Sequence, residues 1–285
     1  MFEQHLVPAT DLSFRLRAGG GKGVLLVHGL TGAPGEMKFL GTRLHRRGFD
    51  VYAPLLAGHG KTEAELVTTT WQDWLESLRE AYDRFKVEFD HVYVAGICVG
   101  GALGLALAAD EKLDAAAIYS MTYRYDGWNM PRWRSRIVPL VRPFARLPGL
   151  RDISFAEPYP FGLKDKRLRE SVAQNSNALI PGALDRMPLG AMYEMHALAD
   201  HLDRIGSQIT QPTLIIHATE DDMSDPKNAH RLRKALGGPV ELHLLDDCYH
   251  MIHVDRQRNL VGDLTSAFFG PPAVSPKTAK ALMRV

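Results

Sequence analysis

Apolar residues follow two alternating rhythms along this chain. Short runs rich in apolar residues occur at Gly23–His28, which is continuous, and at Phe49–Ala53, Val92–Val94, Leu113–Ser120, Gln211–Ala218 and Val240–Leu245. Runs of that length, rich in Val, Ile, Leu and Tyr, predict strands, several of them buried on both faces of a parallel sheet. Between the runs, apolar positions recur every three or four residues, as on one face of a helix. Phe39, Leu40 and Leu44 mark a helix over 37–47, and Met192, Met195, Leu198 and Leu202 mark one from 189 to 205. Others run from Thr70 to Phe85, from the glycines after Cys98 to Ala109, from Pro226 to Leu236, and up to Phe269. Thr70 with Asp73 three residues on reads as an N-cap, and Pro226 suits a first helical turn. Leu12–Ala18 alternates and predicts an edge strand. Strand and helix taken in turn predict an α/β fold built on one mostly parallel, doubly wound sheet.

The rhythm breaks between residues 121 and 189. That stretch carries Pro131, Pro139, Pro143, Pro148, Pro158, Pro160, Pro181 and Pro188, with Tyr123, Tyr125, Trp128, Trp133 and Phe155 among them. It predicts a cap inserted over the carboxyl edge of the sheet. The core is then 1–120 and 190–270, and 271–285 is a loosely held tail. The first half of the cap is basic, with Arg124, Arg132, Arg134, Arg136, Arg142, Arg146 and Arg151 against Asp126 and Asp152. It reads as a solvated face, or as a docking surface for an anionic or interfacial substrate.

Composition mostly excludes. A formal net charge of +1 gives no ground for a nucleic-acid partner. Two cysteines, Cys98 and Cys248, are too few for a disulfide framework and fit a reducing cytoplasm. Met1–Pro8 has no basic segment leading into an apolar core, so no signal peptide is expected. No apolar stretch reaches the length of a membrane span. His217 and His243 lack the paired spacing of zinc ligands, and neither metal nor cofactor is expected.

The chemistry centres on Gly96-Ile97-Cys98-Val99-Gly100, between a strand and a helix. This is the nucleophile-elbow pattern with cysteine at its centre. A side chain thrown out of a tight strand-to-helix turn needs small neighbours two residues before and after it. The helix that follows aims its N–H groups and dipole at the sulfur and favours a thiolate. Buried packing as a small hydrophobe is the alternative for a lone cysteine.

With this elbow, the chain resembles the α/β-hydrolase superfamily, and within it the bacterial carboxylesterase and monoacylglycerol-lipase-like group. The residues that carry the resemblance are His28–Gly32, Pro54–Gly60, the elbow, Pro212–Ile216 with Asp221 and Pro226, and Tyr249-His250 with Asp255. The cysteine itself is similar to that of dienelactone hydrolases, polyhydroxyalkanoate synthases and some intracellular depolymerases. The resemblance implies an α/β-hydrolase fold and a triad of Cys98, Asp221 and His250. Leu30 and Val99 would supply the oxyanion-hole N–H groups, and His28, His59 and Trp128 would contact substrate. His59 can equally brace its loop, and Cys248 near His250 can be loop filler. The implied reaction is hydrolysis of a small-molecule ester or thioester through an acyl-enzyme, hydroxyalkanoate oligomers among the candidates. Acyl transfer to a non-water acceptor is the rival, and a non-catalytic ligand-binding relative the third reading.

Overall fold

The computed structural model describes residues 12–131, 144–145 and 147–270, and of 175–179 the backbone alone. Arg132, Arg134, Arg136, Arg142 and Arg146 of the basic stretch, and the tail 271–285, lie outside the described residues.

The apolar runs form one sheet. Its strands are β1 (Phe14–Leu16), β2 (Lys22–Val27), β3 (Asp50–Ala53), β4 (His91–Ile97), β5 (Ala115–Tyr119), β8 (Thr213–Ala218) and β9 (Val240–Leu245). They lie in the order β1-β3-β2-β4-β5-β8-β9, with only β1 antiparallel, on β3. The edge strand expected at Leu12–Ala18 is thus present but short. Between β5 and the helix Leu189–Ile205 come a separate antiparallel pair, β6 (Ser154–Ala156) and β7 (Arg186–Pro188), and the helix Lys166–Leu179.

Strand order reverses at β2, which pairs with β3 on one side and β4 on the other. In an open parallel sheet the crevice beyond such strand ends is where ligands bind. The loop after β2 is Gly-rich, and the residue after β4 is Cys98. Register places Val27 beside Gly96, so the two strand ends are neighbours.

Helix α4 (Val99–Asp110) leaves that point fully apolar, and every residue from Val99 to Ala108 is buried. It packs on β4 and β2 and under the helices Trp71–Lys86 and Leu189–Ile205. A helix covered on both sides needs no polar face. The capping box expected at Thr70 forms on Trp71–Lys86: Thr70 N–H donates to Asp73 Oδ2 at 2.8 Å, and Asp73 N–H to Thr70 Oγ1 at 3.4 Å.

The start of α4 is tight enough to dictate sequence. A Cβ on Gly100 would lie 2.3 Å from the Val27 carbonyl oxygen and 2.4 Å from that of His28. One on Gly96 would lie 2.5 Å from the Gly100 carbonyl carbon. All of these are backbone atoms and have no rotamer to yield. Gly100→Ala is therefore expected to destabilise the fold by about 3 kcal/mol. Urea unfolding measures this; an unchanged midpoint would refute the close approach.

Candidate active site

Cys98 sits between β4 and α4 with φ 52° and ψ −116°. A non-glycine residue held there is strained, and such strain collects at functional sites. Its N–H donates to the Tyr119 carbonyl at 2.9 Å, which anchors the turn to β5. Val99 is the first residue of the helix, so its N–H has no acceptor within the helix.

His250 follows β9 and Asp221 follows β8. Both are buried, as is Cys98. His250 Nδ1 lies 2.9 Å from Asp221 Oδ2 and 3.1 Å from Oδ1. Asp221 Oδ1 also accepts the N–H groups of Met223 (2.9 Å) and Ser224 (2.8 Å). His217 Nε2–H donates to the Ser224 carbonyl at 2.8 Å and stands 3.3 Å from Asp221 Oδ2. Burial alone would raise the Asp221 carboxyl. The charge and hydrogen bond of His250 and the nearby His217 outweigh it and hold Asp221 below its ordinary range. Burial opposes charge on His250 too, but Asp221 and the neighbouring Cys98 raise it well above the ordinary histidine value. Ser120 Oγ–H donates to the His250 carbonyl at 2.6 Å, and Asp222 Oδ1 accepts the His250 N–H at 3.3 Å. The ring therefore stands on a fixed backbone.

Cys98 and His250 share the wall of a cavity of about 500 Å³ with Leu30. Further polar residues line it that sequence reasoning missed, among them Glu36, Tyr125 and Glu157, with Thr31, Lys38 and Arg258. Glu36 Oε1 accepts the Gly29 N–H at 2.5 Å, and Glu157 Oε1 accepts the Thr31 hydroxyl at 2.6 Å. Burial raises both carboxyls, Glu36 from 4.5 to about 7. Burial and the adjacent Cys98 raise the Tyr125 hydroxyl well above its ordinary value. The remaining wall is largely apolar, including Phe161, Leu163, Leu168, Leu184, Met187 and Met251. The signal available for Glu36 was a lone acid in the apolar stretch Ala33–Leu40. Glu157 and Tyr125 lie where the rhythm breaks and carried none.

His28, His59 and Trp128 do not line this cavity. His28 is fully buried; its Nε2 accepts the Leu56 N–H at 3.3 Å, so Nδ1 carries the proton donated to the Gly29 carbonyl at 3.0 Å. Burial pushes its pKa down to about 3, consistent with that neutral tautomer. His59 Nδ1 lies 2.9 Å from the Ala57 carbonyl and Nε2 2.9 Å from that of Leu30; burial lowers its pKa to about 4, so the neutral ring donates to one of the two. Trp128 is exposed and donates Nε1–H to the Glu220 carbonyl at 2.9 Å. The two histidines brace the loop after β2, and the tryptophan braces the loop after β8. Cys248 is buried with its thiol raised to about 12 by burial, and it too lies off the cavity. Asp225 Oδ1 accepts the Lys227 N–H at 2.8 Å, where the helix Lys227–Ala235 begins. Among the described residues no group of three or more His, Cys, Asp and Glu side chains is arranged to hold a metal. None of their helices is long and apolar enough to cross a membrane.

The Glu36 carboxyl makes stability depend on pH. Below pH 4.5 it is protonated folded or unfolded. Above that the unfolded chain ionises while the folded one keeps its proton to about 7. Stability thus falls as pH rises from 4.5 to about 7 and stays lower above. At about 1.4 kcal/mol per pH unit the loss is about 3 kcal/mol. Glu36→Gln is expected to gain up to that amount at pH 8 and little at pH 4.5. Urea unfolding at both pH values checks it; an equal effect at the two would contradict it.

Comparison with known proteins agrees with this architecture. The family model described as serine aminopeptidase, S33, matches residues 21–257. A carboxylesterase of Bacillus subtilis is 24% identical over 253 residues, covering 85% of this chain and 90% of its own. A thermostable monoacylglycerol lipase of Bacillus sp. H-257 is 25% identical over 256 residues, covering 89% and 92%. Among solved structures, one from a study of the metagenome-derived lipolytic enzymes LipS and LipT superposes with a TM-score of 0.75 at 23% identity, covering 92% and 98%. The monoacylglycerol lipase of Paleococcus ferrophilus superposes with a TM-score of 0.74 at 16% identity, covering 91% and 98%. The sheet and its helices are those of the α/β-hydrolase fold.

Proposed function

The chain belongs to the serine aminopeptidase S33 family of α/β-hydrolases, and we propose that it hydrolyses carboxylic esters through an acyl-enzyme on Cys98. The observation that carries the reading is the short contact of the buried Asp221 carboxylate with His250 Nδ1, beside a strained Cys98 on one cavity wall. Asp221 fixes the tautomer, which leaves Nε2 to take the thiol proton. The sulfur attacks the ester carbonyl. The oxyanion that forms is met by the N–H groups of Val99 and Leu30. Collapse expels the alcohol, which takes the proton back from His250. Water, deprotonated by the same ring, then cleaves the thioester and restores the thiol.

The cavity wall favours a small or medium acyl chain, because about 500 Å³ of mostly apolar space suits one. The described residues between 121 and 189 act as the cap that closes it. Their backbone is tied to three loops at the site: Leu184 N–H to the Thr31 carbonyl (2.8 Å), Gly162 N–H to Asp222 (3.1 Å) and Lys164 N–H to Asp255 (2.9 Å). The curated relatives are named for ester substrates. The aminopeptidase of the family's description would need an acid for a substrate ammonium, and Glu157 is the group on the wall that could serve.

The test is a substrate panel with intermediate trapping. p-Nitrophenyl esters of rising chain length, a monoacylglycerol and an aminoacyl p-nitroanilide are offered with and without an alcohol acceptor. Mass spectrometry of acid-quenched enzyme is expected to find the acyl group on the peptide bearing Cys98, and free acid as product. Turnover with no acyl group on that peptide overturns the mechanism. An ester adduct of the added alcohol as main product moves the reading to acyl transfer.

A further inference from the structure

We propose that Glu36 is a positioning residue of this site: its side chain holds the Gly29 peptide so that the next N–H, that of Leu30, faces Cys98. The proposal rests on the ester-hydrolase reading, because it takes Leu30 as an oxyanion donor.

Glu36 is 5% exposed in an apolar stretch. A carboxyl is seldom buried without a partner. The partner is a backbone group: Glu36 Oε1 accepts the Gly29 N–H. The loop is shaped around this contact, since a Cβ on Gly32 would lie 2.2 Å from Glu36 Oε2. Each neighbouring peptide is pinned as well. The Gly29 carbonyl accepts from Gly32 N–H at 3.2 Å and His28 Nδ1–H at 3.0 Å. In a trans peptide the Leu30 N–H points opposite to that carbonyl. Beyond it, the Leu30 carbonyl meets His59 and the Thr31 hydroxyl meets Glu157. Glu36 is the member of this set that holds the peptide entering the turn. Without it a buried Gly29 N–H loses its acceptor, and the loop must rotate to find another.

The charged surroundings of Glu36 are few. Glu157 and His250 act on it directly, and His253 meets its backbone. Cys98, Tyr125, Lys38 and Arg258 line the same cavity. A carboxylate makes a stronger bond to an N–H than a neutral acid does. Loop order therefore improves as Glu36 ionises.

The test compares Glu36→Ala with Glu36→Gln on the full chain. Gln keeps an oxygen acceptor for Gly29 but cannot ionise. Glu36→Ala is expected to lower kcat about 100-fold, the range for losing one oxyanion donor, with KM within about threefold. Glu36→Gln is expected to restore most of kcat. It should also lack the rise in kcat/KM expected of the unaltered chain across about pH 7. A packing role alone would move neither the kcat-to-KM split nor that limb. Unchanged kcat in Glu36→Ala overturns the proposal, as does a Gln variant no better than Ala. If the unaltered chain turned over no ester, the functional reading would fail. Amide hydrogen exchange over residues 29–32 would then decide the role of Glu36. Exchange that is faster in the Ala variant and unaltered in the Gln variant supports it, and equal exchange in all three overturns it.

Discussion

Cys98→Ala is expected to lower kcat on a p-nitrophenyl ester by about 10⁴-fold or more, with little change in KM. The alanine side chain has no atom that can bond to the carbonyl carbon. What survives is the share of catalysis that oxyanion donors and binding supply alone. The fold should not suffer. Alanine bears the same Cβ at φ 52° as cysteine does, so the strain of the turn is unaltered. The lost sulfur faces a cavity, so little packing is removed. Thermal melting within a few degrees of the unaltered chain would establish that. Iodoacetamide is expected to inactivate the unaltered chain and to find no thiol at position 98 of the variant. Activity within tenfold of normal would mean that the attacking atom lies elsewhere.

The parts of this site that could be read in sequence share one property: their signal is local. The elbow is legible because glycines at 96 and 100 must flank whatever the turn throws outward, and the clashes at both positions give the reason. Asp221 and His250 are reached through the family resemblance, which sets each in the loop after a strand that its own apolar run marks. Glu36, Glu157 and Tyr125 come from three separate segments, and only tertiary packing, such as that of Glu157 against Thr31 in the loop after β2, brings them to one cavity. No spacing encodes that meeting. His28 and His59 fail for a subtler cause. Sequence places a ring near the loop but not the direction it faces, and hydrogen bonds to carbonyls turn both away from the cavity. Trp128 is likewise turned, by its bond to Glu220.

Asp221→Asn is the other change of large expected effect, about 10⁴-fold in kcat. The reason is a proton in the wrong place. Asp221 Oδ1 already accepts two backbone N–H groups, from Met223 and Ser224. An asparagine keeps those bonds only by placing its carbonyl oxygen there, which turns its NH₂ toward His250. Nδ1 must then accept, the ring proton moves to Nε2, and that nitrogen can no longer take the thiol proton. The same NH₂ would also face His217, whose Nε2–H stands 3.3 Å from the oxygen it replaces. Loss of the carboxylate removes the largest influence raising His250, so the acid limb of any residual activity should move to lower pH. The folded chain holds Asp221 below its ordinary range. Its ionised form therefore contributes stability above the unfolded pKa, lost as pH falls through the folded value. The asparagine chain should lack that loss. Steady-state kinetics from pH 5 to 9 reads the first effect, and urea unfolding carried below pH 3.8 reads the second. A variant with near-normal kcat and an unmoved acid limb would show that His250 does not depend on this carboxylate.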